Sequence, residues 1–218
     1  MIRLLGVMLL AASLGAGSLA QAATLSTEQP ASPYEVVTVS GDPERQRTFL
    51  GLLEGVPVMY EITTDRPFMF RATLEQPAWN RTEPAPYSLI VIRQNDRGGG
   101  VSEVTRLYPD TQHWQLVSDR ATGLSFYVAT ASAQVSPGVY RIEVSTPENL
   151  GRYRLTLGTT AEPVGYLARL GQIATTQDFF GYSPIKLLSS SYVYYPLLVL
   201  TVVLLLWKFR RRFAPGTT

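Results

Sequence analysis

An apolar run that ends in a cluster of cations lies near the C-terminus and constrains where the rest of the chain can lie. Residues 187–209 number 23 and would form an α-helix about 34 Å long, enough to cross a hydrocarbon core of about 30 Å. Lys208, Arg210, Arg211 and Arg212 close the run. The positive-inside rule therefore places residues 210–218 in the cytoplasm. The sequence predicts a single membrane span with the preceding residues on the other side.

Aromatic residues flank the predicted span at both ends, where amphipathic rings sit at the level of the lipid headgroups. They are Tyr192, Tyr194 and Tyr195 on one side and Trp207 and Phe209 on the other. Pro196 removes one helical hydrogen bond, which predicts a kink near residues 192–196 and leaves a carbonyl for a side chain or a neighbouring helix. We favour a tolerated kink at the interface, and a notch that binds a partner is the alternative.

The N-terminal residues 1–22 have the layout of a secretory signal. They contain an early cation, Arg3, an apolar segment and a small-residue site at Ala20-Gln21-Ala22. We predict that the signal is removed, which leaves a single-pass protein of type I orientation in the inner (plasma) membrane. An uncleaved first membrane helix is the alternative, but Gly15 and Gly17 interrupt the apolar run that it needs. Residues 23–33 are polar with two prolines and predict a flexible leader.

Charge and cysteine content exclude several classes of function. The chain has 19 Lys and Arg and 17 Asp and Glu. When Arg3 and the four tail cations are left out, residues 24–191 contain 14 Lys and Arg and 17 Asp and Glu, a net charge of −3. This segment lacks the basic excess typical of nucleic-acid binding, so we predict no nucleic-acid partner. The chain has no cysteine, which excludes disulfides, a thiolate nucleophile and a cysteine-ligated metal.

Apolar and polar residues alternate in ten short segments separated by Gly, Pro and Asp turns. The segments are 34–39, 48–53, 57–63, 67–75, 87–93, 101–108, 113–117, 124–131, 138–146 and 151–158. Period-two alternation is typical of strands with one buried face. With no amphipathic helix among them, the strands predict an antiparallel β-sandwich over residues 34–160, because a parallel sheet would need crossover helices.

The alternation also predicts which side chains face the core. The inward set is Tyr140, Ile142, Val144 and Thr146 in one strand and Tyr153, Leu155 and Leu157 in the next. Arg152, Arg154 and Thr156 then lie outside.

The pattern changes at Glu162 to that of a short amphipathic helix. Pro163 suits a first helical turn. The predicted apolar face consists of Tyr166, Leu167, Leu170, Ile173 and Ala174. Such a helix can pack on the sandwich or lie on the membrane surface. We favour a juxtamembrane segment over residues 161–186, because aromatic residues follow it close to the span.

These aromatic residues and the span itself supply the candidate contacts with lipid or with a partner. They are Phe179, Phe180, Tyr182, Ser190, Tyr192, Tyr194, Tyr195, Pro196, Trp207, Lys208, Arg210, Arg211 and Arg212. Lys186 is predicted to place its ammonium group among the headgroups.

One hairpin resembles a known family. The run PGVYRIEVSTPENLGRYRLTLG (137–158), a G-x-Y-x-I-x-V strand and a G-x-Y-x-L-x-L strand, resembles the closing hairpin of bacterial pre-peptidase C-terminal domains. FLGLLEGVPVMYEITTDRPFMFRATLE (49–75) and YSLIVIRQND (87–96) resemble its opening strands. The resemblance implies a jelly-roll-like β-sandwich with an accessory role in binding a substrate or surface, and with calcium in some members. A span after the sandwich and no preceding peptidase domain set this sequence apart from protease-associated members.

Residues for catalysis or metal binding are few. His113 is the only histidine, and we interpret it as an exposed strand residue rather than a catalytic one. We assign Met59 and Met69 to the core rather than to a copper site. Calcium is the ion that Asn95, Asp96, Asp110 and Asp119 would suit, but their spacing matches no calcium loop, so we favour solvated turn carboxylates and no cofactor.

The sequence predicts an all-β protein: an antiparallel, jelly-roll-like sandwich, then a short amphipathic helix and one transmembrane helix. Its layout favours a non-enzymatic, membrane-anchored module in the periplasm that binds a protein partner or an envelope component, as an accessory subunit of a membrane complex. The alternative is an enzyme or small-ligand carrier that uses carboxylates and arginines on the sandwich loops. A concave pocket with convergent Asp, Glu or Arg side chains would favour this alternative.

Overall fold

The computed structural model describes residues 20–22, 24–30, 32–79, 83–95, 99–110 and 113–213. The strands are β1 (Ala20–Ala22), β2 (Thr24–Ser26), β3 (Val36–Thr38), β4 (Arg47–Glu54), β5 (Val58–Thr64), β6 (Phe68–Pro77), β7 (Ser88–Gln94), β8 (Val101–Leu107), β9 (Gln115–Asp119), β10 (Leu124–Val135), β11 (Gly138–Ser145), β12 (Leu150–Leu157) and β13 (Glu162–Val164). The helices are α1 (Tyr166–Phe179), a 3-10 helix (Pro184–Ser189) and α2 (Ser191–Phe213). Most of the predicted signal, Asp96 and the last five residues lie outside the described residues.

Two facing sheets form the predicted β-sandwich, and the C-terminal apolar helix follows them. One sheet has the strand order β2-β4-β12-β6-β10-β9 and the other β3-β5-β11-β7-β8. The all-β fold class is thus confirmed, but the sheets are mixed rather than purely antiparallel. β2 runs parallel to β4, and β3 runs parallel to β5. β1 pairs only with β13, so removal of residues 1–22 would leave both main sheets whole.

The predicted leader, residues 23–33, contains a strand and contacts the sheet edge in its described part. Leu25 pairs with Thr48 in the parallel ladder between β2 and β4. The side-chain amide of Gln29 donates to the carbonyl of Leu50 and accepts from the N–H of Leu52. The leader is therefore attached to the sheet edge by a short backbone ladder and by the Gln29 side chain, and so short a segment carries no periodic signal.

The core between the sheets contains the inward side chains that the alternation predicts. Tyr140, Ile142, Val144, Tyr153, Leu155 and Leu157 are all at most 1% exposed. The hydroxyls of Tyr60 and Tyr153 are hydrogen-bonded at 2.9 Å across the core. Gly51 lies under the Tyr153 ring, where an added Cβ would be 2.1 Å from a ring carbon. Met69 does not belong to this core: it is 45% exposed, because its position in β6 faces outward.

Helix α1 covers the outer face of the six-stranded sheet. Its buried residues are Ile173, Thr176 and Gln177, whereas Leu167 is 79% exposed. The helix therefore packs on the sandwich, and of its predicted apolar face Ile173 is buried while Leu167 is not. Pro163 belongs to β13 rather than to a first helical turn. The outward apolar residues Leu50 and Phe126 explain why this sheet face needs a cover.

Helix α2 is, within the described residues, the one helix long and apolar enough to cross a membrane, over Ser191–Arg210. It starts four residues after the predicted start of the span. Ser183 precedes a 3-10 helix with Pro184 at its first position. Ser190 ends that helix with an extended backbone conformation. The chain therefore reaches α2 through a compact turn instead of one long helix.

Candidate functional site

The β9–β10 turn contacts the residues at the start of α2. We call these two segments, residues 119–124 and 189–192, the junction. The N–H of Ser191 donates to the carbonyl of Arg120 at 2.9 Å. The hydroxyl of Ser190 donates to the carbonyl of Ala121 at 2.5 Å. Gly123 has a φ of +67°, and an added Cβ would lie 2.2 Å from the Ser189 hydroxyl. The turn therefore needs glycine both for its backbone conformation and for its contact with Ser189.

Gln177 of α1 connects the turn to the 3-10 helix. Its side-chain amide donates to the carbonyl of Thr122 at 2.6 Å and to that of Lys186 at 3.3 Å. The residue is 2% exposed, so both hydrogen bonds form where water does not compete. One buried amide thus links α1, the β9–β10 turn and the segment that leads into α2.

Phe180, just after α1, packs on the sandwich rather than on lipid. It is 1% exposed and forms an apolar cluster with Leu50, Leu124 and Phe126. Its ring centroid lies 5.5 Å from that of Phe126. Arg152 donates to the carbonyl of Phe179 at 2.7 Å, which fixes the end of α1 on the sheet. The predicted lipid contact of Phe180 is therefore wrong.

The first turn of α2 is bound by α1. The hydroxyl of Tyr166 donates to the backbone carbonyl of Tyr192, the group four residues before Pro196. The guanidinium carbon of Arg169 lies 5.9 Å from the Tyr192 ring centre. Proline lacks the N–H that would bond this carbonyl. The predicted free carbonyl near Pro196 thus accepts from a neighbouring helix.

The other predicted contact residues separate into buried and exposed groups. Ser190 is fully buried and offers no surface to lipid or a partner, which corrects its selection from sequence. Tyr182 is half-buried, with its ring 6.4 Å from that of Trp79. The rings of Tyr194 and Tyr195 are 4.3 Å apart at the start of α2. The remaining candidates lie at the end of α2: Trp207, Lys208, Arg210, Arg211 and Arg212.

A polar pocket of about 290 Å³ lies between the six-stranded sheet and α1. Its floor is made by outward threonines of three strands, Thr48, Thr73 and Thr156, and α1 contributes Arg169 and Gln172. Sequence reasoning placed Thr156 and its neighbour Arg154 outside the core. That assignment is right for the sheet, but α1 covers this part of the face.

Arg154 forms a buried ion cluster in this pocket. One of its Nη atoms donates to Glu75 at 2.8 Å and to Asp119 at 3.3 Å, and its guanidinium carbon lies 4.3 Å from the Phe126 ring centre. Burial by itself would lower the pKa of Arg154, but Glu75 and Asp119 outweigh it and the pKa is raised. Asp119 also accepts from the N–H of Ala121 in the junction turn at 2.9 Å. The cluster therefore braces the turn that holds α2.

The residues considered for catalysis or metal binding do not converge. His113 is exposed and bonded to Asp110 at 2.6 Å. Asp119 is taken up by Arg154 and by the turn. No group of three or more His, Cys, Asp or Glu side chains suited to a metal occurs among the described residues.

Comparisons with known proteins give distant structural matches alone. No protein-family model matches the sequence, and no curated protein matches it. Among solved structures, the chain is similar to the pre-peptidase C-terminal domain of collagenase from Bacillus anthracis, at 10% identity, over 61% of this chain and 95% of that one, with a TM-score of 0.32. A TM-score of this size carries no argument about function.

Proposed function

We propose that this chain is a non-enzymatic, single-pass membrane protein whose extracytoplasmic β-sandwich binds a protein partner or an envelope component, as an accessory subunit of a membrane complex. The observation that carries the proposal is the direct attachment of the sandwich to the start of α2. A sandwich held in one orientation above the membrane presents the same surface to every neighbour in the bilayer, which suits a subunit of an assembly.

Three contacts support a fixed orientation. The junction joins Ser190 and Ser191 to the β9–β10 turn, Gln177 joins α1 to both segments, and Tyr166 joins α1 to α2. β10 runs from the junction over twelve residues, about 36 Å at the usual rise per residue. The far end of β10 is therefore remote from the start of α2, and we expect its surface to be available to a partner.

The orientation across the membrane is part of the proposal. Lys208 and Arg210 follow the apolar part of α2, and cations at this end favour a cytoplasmic C-terminus. The small-residue site near Ala22 supports export of the sandwich. Both features favour placement of the sandwich in the periplasm.

The pocket under α1 favours one alternative, an enzyme or small-ligand carrier built on carboxylates and arginines. Glu75, Asp119 and Arg154 do converge there. However, Arg154 directs its donors at the two carboxylates, so most of the hydrogen-bonding capacity of these groups is used within the cluster. The alternative predicts that a small polar molecule stabilises the purified protein, whereas an accessory subunit needs no such ligand.

Photo-crosslinking in cells tests the proposal. A photoreactive residue at Tyr182 or Ile185 samples the membrane end, and one at Leu116, which is 64% exposed, samples the edge strand β9. Ser190 is unsuitable because it is buried. We expect at least one exposed position to capture a defined envelope protein or polymer in stoichiometric yield. Capture of lipid alone from the membrane end and of nothing from the sandwich would contradict the proposal.

A further inference from the structure

A groove opens beside the start of α2, next to the β9–β10 turn. Its volume is about 470 Å³. It is lined by Trp79, Gly123, Leu124, Ser125, Tyr182 and Lys186. The rings of Trp79 and Tyr182 meet edge to face at 6.4 Å, and the Lys186 ammonium lies 5.9 Å from the Tyr182 ring centre. The groove thus combines aromatic walls with one positive charge.

The groove lies at the level where α2 begins. Gly123 in its wall contacts Ser189, two residues before the first residue of α2. Trp79, Ile185 and Leu188 around it are 48%, 73% and 53% exposed. Exposed aromatic and aliphatic side chains beside a span are typical of segments that lie in the headgroup region. Where α2 crosses a membrane, the groove lies next to the first turn of the span, the level at which headgroups are expected.

Three cations surround the start of α2, each from a different element. Lys186 comes from the 3-10 helix, Arg120 from the β9–β10 turn and Arg169 from α1. Arg120 is bonded through its carbonyl to Ser191, and Arg169 lies over Tyr192. Five other arginines of the sandwich pair with carboxylates: Arg45, Arg66, Arg106, Arg141 and Arg154. The other described arginines of the sandwich without such a pair, Arg47, Arg71, Arg93 and Arg152, come from four different strands.

The three cations around the start of α2 have no carboxylate within ion-pair distance in the described part of the chain. They lie together at one end of a segment whose net charge is −3. The backbone of Lys186 is held by Gln177 and Ser189, which donate to its carbonyl, and its ammonium group lies 5.9 Å from the Tyr182 ring centre. Fixed cations without acidic partners are complementary to an external anion.

We propose that this groove binds the headgroup of an anionic phospholipid, with the phosphate at Lys186, the glycerol region between Trp79 and Tyr182, and Arg120 and Arg169 attracting further headgroups around α2. The inference rests on the proposed membrane anchoring and deepens it by naming the lipid class. A lipid held here stabilises the orientation of the sandwich by contacting the 3-10 helix and the turn together.

Fluorescence quenching in vesicles tests the site in the full-length protein. The chain has no cysteine, so I185C gives a single label beside the groove. Two vesicle preparations of phosphatidylcholine are compared. Each contains a small fraction of a lipid with a nitroxide near the top of its acyl chain, which is phosphatidylglycerol in one preparation and phosphatidylcholine in the other. We expect phosphatidylglycerol to quench the label about fivefold more strongly at low salt, since one cation near an anionic surface contributes roughly that factor. High salt reduces the preference.

Two double variants make the test specific. R120Q/K186Q removes two cations from the junction, and we expect it to abolish the preference for phosphatidylglycerol. R47Q/R71Q removes two cations from the far end of the sandwich and should leave the preference unchanged. Equal quenching by both lipids, or a preference that survives in R120Q/K186Q, would overturn the inference.

A label at L200C separates this inference from the proposed anchoring. Leu200 lies in the middle of α2 and is 53% exposed. If both nitroxide lipids quench the label at position 200 while the label at position 185 shows no lipid preference, only the headgroup site fails. If neither lipid quenches the label at position 200, the anchoring itself fails and the inference falls with it.

Discussion

The hydroxyl of Tyr166 donates to the carbonyl of Tyr192, the group that Pro196 deprives of its helical donor. A proline inside a helix normally leaves this carbonyl to water or to a neighbouring segment. Here the donor comes from α1, which itself packs on the sandwich. One hydrogen bond therefore compensates for the proline and ties α2 to the rest of the protein.

We predict that Y166F weakens the attachment of α1 to α2 by about 1 kcal/mol, the usual net value of one hydrogen bond. The residue at position 196 provides the control. In a P196A background the new N–H can bond Tyr192, so Y166F should cost much less there. Hydrogen exchange of α1 in the four proteins of this double-mutant cycle measures the difference, and an equal cost in both backgrounds would contradict the assignment.

Gly123→Ala should loosen the junction. The left-handed backbone conformation costs about 1 kcal/mol for alanine, and the clash with Ser189 adds about 2 kcal/mol. Gly55→Ala is the matched control, because Gly55 has a φ of +84° and open space around its Cβ position. Limited proteolysis should cleave Gly123→Ala faster than Gly55→Ala between α1 and α2. Urea unfolding should show a larger loss in the free energy of unfolding for Gly123→Ala than for Gly55→Ala. Equal losses would mean that the turn does not pack on Ser189.

The Arg154 cluster should contribute strongly to stability. Glu75→Gln removes the main carboxylate partner of Arg154, whose side chain is 13% exposed. We expect a loss of about 3 kcal/mol in the free energy of unfolding. Glu103→Gln breaks the exposed pair with Arg106 and should cost much less, because water screens an exposed ion pair. Urea unfolding followed by tryptophan fluorescence compares the two variants. Similar small losses would show that the cluster is solvated.

The tyrosine pair in the core predicts a loss of stability at alkaline pH. Burial raises the pKa of Tyr153 and that of Tyr60 above the ordinary value. The unfolded chain releases these protons from about pH 10, so the stability is complete below that pH and falls as the pH rises toward the folded pKa values. The free energy of unfolding should therefore fall less steeply above pH 10 in Y60F/Y153F. An unchanged slope would contradict this assignment.

The strands were predictable because each carries a period-two alternation that needs no knowledge of distant residues. β2 was not predictable from the sequence, because three residues beside a sheet edge form a strand only when β4 is present to pair with them. The cover formed by α1 was also missed. Its buried face contains Thr176 and Gln177, polar residues that become buried because the fold supplies their hydrogen-bond partners.

A usable signal for that cover was nevertheless present in the sequence. Leu50 and Phe126 occupy outward positions in their strands, next to the inward Phe49 and Tyr127, so two strands are apolar on both faces. Strands buried on both faces imply a covering element. Arg154 gave no such signal, because an arginine at an outward position is usually solvated. Its burial depends on Glu75 and Asp119, which are distant in sequence.

A distance measurement between the sandwich and α2 tests the central claim most directly. Spin labels at S136C, at the far end of β10, and at L200C, in the middle of α2, report the orientation of the full-length protein in lipid nanodiscs. Direct attachment through the junction predicts one narrow distance distribution. A broad distribution would show that the sandwich moves freely on a tether, and it would contradict the fixed orientation on which the proposed function depends.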